Sequence, residues 1–192
     1  MRSRWDRKHP LFRQRKIHSQ STDSGEDAIE RPQRKRLRLE SYDYSQPGSY
    51  FITICTRERN QEVLCSIKPA VGAIINRPPR ISLTPLGRIV DATIRAIPDH
   101  YPGISVDQYI IMPDHVHLIL ALRHIGPDGR QIAAPTPLSN VIQQMKRITS
   151  KQAGISLWQK GFYDHVIRND EDLANVRQYI PNNPLKWIQD KD

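Results

Sequence analysis

Two apolar, β-branched runs, Ser105–Met112 and His115–Leu122, are parted only by Pro113-Asp114. Strand-forming runs this close together have two options, a tight hairpin or a bent link between neighbouring strands. The remainder of the chain has to supply the partners and cover for these strands. Ser49–Thr56 (SYFITICT) alternates and is rich in β-branched and aromatic residues, which predicts another strand. Shorter strands are expected near Val63–Ile67 and at Arg80–Leu83, around a Pro-rich loop at Arg77–Arg80.

Helix signals fall between these runs. Thr84-Pro85 reads as an N-cap followed by Pro at the first helical position, and Leu86, Ile89, Val90, Thr93 and Ile97 recur at helical spacing up to Pro98. Thr136-Pro137 repeats the signal after a loop at Gly126–Pro135. There Leu138, Val141, Ile142, Met145 and Ile148 mark one face of a helix ending near Ala153, before Gly154. Leu157–Arg168 reads as irregular and then extended. Asn169 or Asp170 caps a last helix with Glu171 and Asp172 in its first turn and an apolar face of Leu173, Val176 and Ile180. The order strand, helix, strand, strand, helix, strand, helix predicts an α+β, ferredoxin-like sandwich. Its antiparallel sheet has helices packed on one face, plus a C-terminal tyrosine-bearing helix.

Composition limits what such a domain does. The chain has 192 residues and a formal net charge of +9, which favours a polyanionic partner. Residues 1–40 hold 12 Lys+Arg and 6 Asp+Glu with almost no periodic apolar residues, so they read as a disordered basic arm. Residues 41–192 form the single folded domain, and most of the net charge lies outside it. No apolar stretch approaches the roughly 18 residues needed to span a bilayer, so no membrane role is expected. Two cysteines, Cys55 and Cys65, make neither a disulfide framework nor a zinc ribbon, and the expected compartment is the reducing cytoplasm.

The strongest local signal is Met112-Pro113-Asp114-His115-Val116-His117-Leu118. Histidines at i and i+2 on a strand project from one face, about 6.5–7 Å apart at Cα, so both imidazoles can converge on one metal ion. The same pattern also fits a pair of half-exposed strand histidines. In the last helix, Tyr179 lies on the flank of the apolar stripe and Asn183 one turn later on the same side. Tyr179 alone fits a core residue with a satisfied hydroxyl equally well.

Taken together, these blocks resemble the single-strand DNA transposases of the HUH, one-tyrosine class, and within it the REP-associated tyrosine transposases. The resemblance is carried by Tyr42-Asp43-Tyr44-Ser45, Tyr50–Thr56, Met112–His117, Trp158–Asn169, and Tyr179-Ile180 with Asn183-Pro184. It implies that His115 and His117 hold Mg²⁺ or Mn²⁺, with Asn183 a candidate third ligand. Tyr179 would then attack a phosphodiester of hairpin-bearing single-stranded DNA, leaving a 5′-phosphotyrosine and a free 3′-hydroxyl. Tyr163 is the competing nucleophile. Pro181 should kink the turn that brings Asn183 alongside Tyr179, and the residue before Pro184 is biased away from helical dihedrals.

Single strands are held by basic grooves with aromatic platforms, for which Lys146, Arg147, Lys151, Trp158, Lys160 and Phe162 are the candidates. The charges on that helix also fit a solvated face, and the two aromatics also fit the core. A histidine-triad hydrolase is disfavoured because position 119 is Ile. A domesticated, cleavage-deficient hairpin-binding protein stays as the alternative. Nothing in the sequence chooses between monomer and homodimer.

Overall fold

The computed structural model describes residues 42–59, 61–69, 78–124, 129–130 and 136–190. The expected basic arm lies outside the described residues, as does most of the loop at 126–135. Among the described residues six strands and four helices are seen: β1 (Gly48–Cys55), β2 (Cys65–Lys68), β3 (Arg80–Leu83), α1 (Pro85–Arg95), α2 (Ile97–His100), β4 (Ile104–Ile111), β5 (His115–Leu122), α3 (Leu138–Ala153), β6 (Tyr163–Ile167) and α4 (Asp170–Gln189). The main sheet has the order β4-β5-β1-β6, and every pairing in it is antiparallel. With β2–β3 set aside as an inserted hairpin, this is the ferredoxin-like arrangement that the order of elements predicts.

Pro113-Asp114 closes a tight hairpin, with Met112 N–H donating to His115 O at 2.8 Å. β1 sits at the centre and is buried on both faces. Tyr50, Ile52 and Ile54 point to one side, where they pack with Val90 and Ile94 of α1 and Leu138, Val141, Ile142 and Met145 of α3. Phe51, Thr53 and Cys55 point to the other and are equally buried. Across β5 the same alternation sends Val116, Leu118 and Leu120 into the α1/α3 layer. His115, His117 and Ile119 therefore face the opposite layer, which α4 occupies.

Most end signals work as expected. Thr84 caps α1, its Oγ1 accepting from Gly87 N–H at 3.0 Å. A Cβ at Gly87 would lie 2.0 Å from Leu64 O, so a hydrogen is all that fits where α1 meets the β2 hairpin. Gly154 ends α3 in the left-handed region at φ 68°, and Asn169 Oδ1 caps α4 by accepting from Asp172 N–H at 2.8 Å. Two signals act differently. Pro137, not Thr136, is the N-cap residue of α3, without a side-chain bond. Pro98 does not end a helix: it stands in the first turn of α2 after α1 has closed at Arg95, because the missing N–H of proline costs nothing there.

Candidate active site

The site lies on the sheet face that α4 covers. β5 presents His115 and His117 side by side, their Nε2 atoms 3.1 Å apart. Each ring is held by its other nitrogen. His115 Nδ1–H donates to Asp114 Oδ1 at 2.6 Å, and Thr53 Oγ1 lies 2.8 Å from His117 Nδ1. Thr53 reaches this position because its Cα pairs with that of His117 in the β1–β5 ladder. Asp114 is itself fixed: it is buried, and Arg59 Nε meets its other oxygen, Oδ2, at 3.1 Å. The order from outside inward is thus guanidinium, carboxylate, imidazole.

This arrangement constrains protons. With its hydrogen on Nδ1, neutral His115 carries a lone pair on Nε2, aimed at His117. Where the Thr53 hydroxyl donates, His117 keeps its proton on Nε2 and satisfies His115. Where the hydroxyl accepts, two lone pairs converge on one point, an arrangement that a cation relieves. The 3.1 Å separation matches the edge of an octahedron with bonds of about 2.1–2.2 Å. The donor set therefore fits a divalent ion. Among the described residues no three His, Cys, Asp or Glu side chains converge to hold one, so further ligands have to come from a carboxamide, water or substrate oxygen.

α4 supplies the rest. Tyr179 is buried, its ring centroid 5.4 Å from that of His117 and 5.8 Å, edge-on, from that of Phe51. Two turns later Trp187 lies 6.3 Å from His115. Tyr179, Asn183 and Trp187, spaced by four, thus run along the histidine pair with Asn183 in the middle. The prolines do not end the helix: one helix spans Asp170–Gln189 through both Pro181 and Pro184. Asn183 accounts for part of this. Its Nδ2 donates to Tyr179 O at 2.7 Å and lies 3.5 Å from Ile180 O, the carbonyl that Pro184, lacking an N–H, leaves without its usual donor. That leaves Oδ1 of Asn183 as the atom able to act as a ligand.

Tyr163, the competing nucleophile, is on the same face. Its Cα pairs with Thr53, which pairs in turn with His117. It therefore stands two strands from His117, about 9–10 Å away at strand spacing, whereas the Tyr179 ring lies against that histidine.

The expected DNA contacts divide. Trp158 and Phe162 are core residues, and Trp158 Nε1 donates to buried Thr149 Oγ1 at 2.7 Å, so neither offers a stacking face. Lys146 is bound internally, its ammonium donating to Gln159 O at 2.5 Å and Gly161 O at 2.7 Å. Burial also pushes its ammonium below the ordinary lysine range. Arg147 and Lys151 are exposed, but on α3, across the sheet from the histidines. Lys160 is exposed on the loop whose Gln159 N–H donates to Cys55 O, and Cys55 pairs with His115. Of the three exposed candidates, Lys160 is the one on a segment bonded to the histidine end of the sheet. Residues that sequence reasoning left without a role are Thr53, Arg59, Asp114, Lys186 and Trp187. Asp114 lay inside the histidine block, and that adjacency was the available signal.

No protein-family profile matches the chain. An uncharacterized protein of Haemophilus influenzae is 31% identical over 82% of this chain and 92% of its own length. A second H. influenzae protein, named provisionally as a REP-associated tyrosine transposase, is 28% identical over 75% of this chain and 74% of its own. The REP-associated tyrosine transposase of Escherichia coli is 24% identical over 76% and 73%. In three dimensions the chain superposes on the solved structure of a REP-associated tyrosine transposase bound to a REP hairpin, with TM-score 0.55 and 21% identity, covering 80% of this chain and 74% of that one. The fold, the ordered sequence blocks and these relatives agree: the chain is similar in sequence and in fold to the REP-associated tyrosine transposases.

Proposed function

We propose that this protein cleaves and rejoins single-stranded DNA at hairpin-bearing, REP-like sequences. Tyr179 is the nucleophile, and His115, His117 and Asn183 hold Mg²⁺ or Mn²⁺. The observation that supports this reading is the packing of the Tyr179 ring against His117 within one chain, beside a pair of imidazoles whose Nε2 atoms lie 3.1 Å apart. A bound divalent ion would withdraw charge from a non-bridging oxygen of the scissile phosphate.

The chain's own groups do the rest. Asp114 keeps the His115 proton on Nδ1, Thr53 serves either state of His117, and Phe51 and α4 fix the direction of the phenol. Attack by the Tyr179 hydroxyl oxygen forms a 5′-phosphotyrosine and releases a 3′-hydroxyl. A phenolate leaves readily, its conjugate acid having a pKa of about 10, so a 3′-hydroxyl can reverse the step and rejoin strands without an energy source. The hairpin-bound relative supports a hairpin substrate. Lys160 is the proposed DNA contact beside the histidines, with Arg147 and Lys151 as contacts on the other layer.

One chain supplies histidines and tyrosine together, which supports a monomer as sufficient. No helix of the described residues is long and apolar enough to cross a membrane, and Cys55 and Cys65 are unbridged, in keeping with work in the cytoplasm. The test is incubation with Mn²⁺ and hairpin-bearing single strands, followed by denaturing electrophoresis. A covalent protein–DNA species supports the reading, and its absence, with hairpin binding intact, would favour a cleavage-deficient DNA-binding descendant.

A further inference from the structure

Lys186 has no part in the chemistry described so far. Its ammonium lies 5.2 Å from the centroid of the Tyr179 ring, over its face. The contact depends on α4 continuing through Pro181 and Pro184: seven residues at 3.6 per turn bring Lys186 back to the side of the helix that carries Tyr179. The nucleophile is therefore bordered by Phe51, by His117 and by a cation.

Three other positive charges are already committed. Arg177, the other cation of α4, donates from Nε and a terminal nitrogen to the two carboxylate oxygens of Asp107. Arg59 is held by Asp114, and Lys146 by two carbonyls. Among the described residues no carboxylate pairs with Lys186, and its side chain is partly exposed. A ring face holds an ammonium weakly at such a position. A phosphate oxygen, which accepts a charge-assisted hydrogen bond, competes for it successfully.

We propose that Lys186 is a catalytic residue of strand cleavage, its ammonium donating to a non-bridging oxygen of the phosphodiester that Tyr179 attacks; this rests on Tyr179 being the nucleophile. In the step, the Tyr179 oxygen bonds to phosphorus as its proton passes to solvent. The bond from phosphorus to the 3′-oxygen breaks, and that oxygen leaves with the electron pair and takes a proton from water. Charge gathers on the phosphoryl oxygens as this happens, and a fixed ammonium is worth most at that moment.

The experiment compares wild type, Lys186→Met and Lys186→Arg in single-turnover adduct formation on a hairpin-bearing single strand with saturating Mn²⁺. Hairpin affinity without metal and thermal unfolding are measured alongside. Lys186→Met is expected to slow adduct formation about 10- to 100-fold, with hairpin affinity and unfolding temperature little changed, while Lys186→Arg recovers most of the rate. Equal rates for wild type and Lys186→Met would overturn the assignment and leave Tyr179 untouched. So would a Lys186→Arg variant as slow as Lys186→Met, because the stem rather than the charge would then matter. A wild type that forms no adduct on any hairpin strand would remove Tyr179 as nucleophile and Lys186 with it.

Discussion

Replacing Asp114 by asparagine keeps the shape of the side chain and removes its charge. In the folded protein that carboxylate accepts from His115 Nδ1–H at 2.6 Å through one oxygen and meets Arg59 Nε at 3.1 Å through the other. Asparagine can still accept from His115 with its oxygen. Its NH₂ then faces Arg59, donor against donor, and the guanidinium, 25% exposed, turns out to water. The bonds from Thr56 N–H and Thr56 Oγ1–H to Asp114 O survive, since they involve the backbone carbonyl. Stability should fall by only about 1–2 kcal/mol, the cost of one charge-assisted bond at a site open on one side, or roughly 2–8 °C in Tm. The larger effect is on the ligand. An imidazole whose distal N–H meets a neutral amide is a poorer donor at Nε2, and lost outer-shell partners of metal-binding histidines cost about 10–100-fold in affinity. Adduct formation titrated with Mn²⁺ should show the half-saturating concentration raised by that factor, with most of the maximal rate regained at high Mn²⁺. An unchanged titration curve would refute the role given to Asp114, and a rate that no amount of Mn²⁺ restores would mean that it acts on the reaction by another route.

Two imidazole nitrogens suit a transition ion better than Mg²⁺, so Mn²⁺ should support adduct formation at concentrations about tenfold or more below Mg²⁺; equal potency would argue against the histidine pair as the ligand set. Gly87→Ala places a methyl 2.0 Å from Leu64 O and should destabilise by about 1–3 kcal/mol in denaturant unfolding, despite a gain of about 1 kcal/mol in helix propensity; a stabilised variant would contradict the close approach. The hydrogen bonds from Arg177 hold the Asp107 carboxyl below its ordinary range. A depressed folded-state value stabilises fully above the unfolded value of about 3.9 and is lost as pH falls through the folded one. Asp107→Asn should therefore soften the loss of stability below about pH 4 and leave its slope between pH 6 and 8 unchanged, and an identical acid limb would count against the ion pair.

What could be read in the sequence is what local chemistry encodes. Thr84-Pro85, Asn169 and Gly154 act within a few residues of themselves, and the pattern of Ser105–Leu122 needs only neighbouring strands to make sense. The histidine pair was equally legible, because a period of two on a strand sets both side chains on one face whatever surrounds it. Long-range packing hid the rest. Helical periodicity groups Arg147 and Lys151 on the exposed side of α3 but does not say on which side of the sheet α3 lies. Trp158 and Phe162 have the composition of a stacking platform and the location of a core. Lys146 has the charge of a phosphate contact, yet two carbonyls of residues 159–161 use it. The continuous α4 is the most instructive feature: Pro181 and Pro184 argue for a disturbed turn, the Asn183 carboxamide bonds to the carbonyls beside them, and only with that continuity do Lys186 and Trp187 come to border the tyrosine and the histidines.

The covalent link to DNA is expected on Tyr179. Wild type, Tyr179→Phe and Tyr163→Phe are incubated with Mn²⁺ and a hairpin-bearing single strand, and the adduct is digested and sequenced by mass spectrometry. The DNA-modified residue should be Tyr179, with the adduct absent in Tyr179→Phe and retained in Tyr163→Phe. An adduct that persists in Tyr179→Phe, or maps to Tyr163, would mean that another group is the nucleophile.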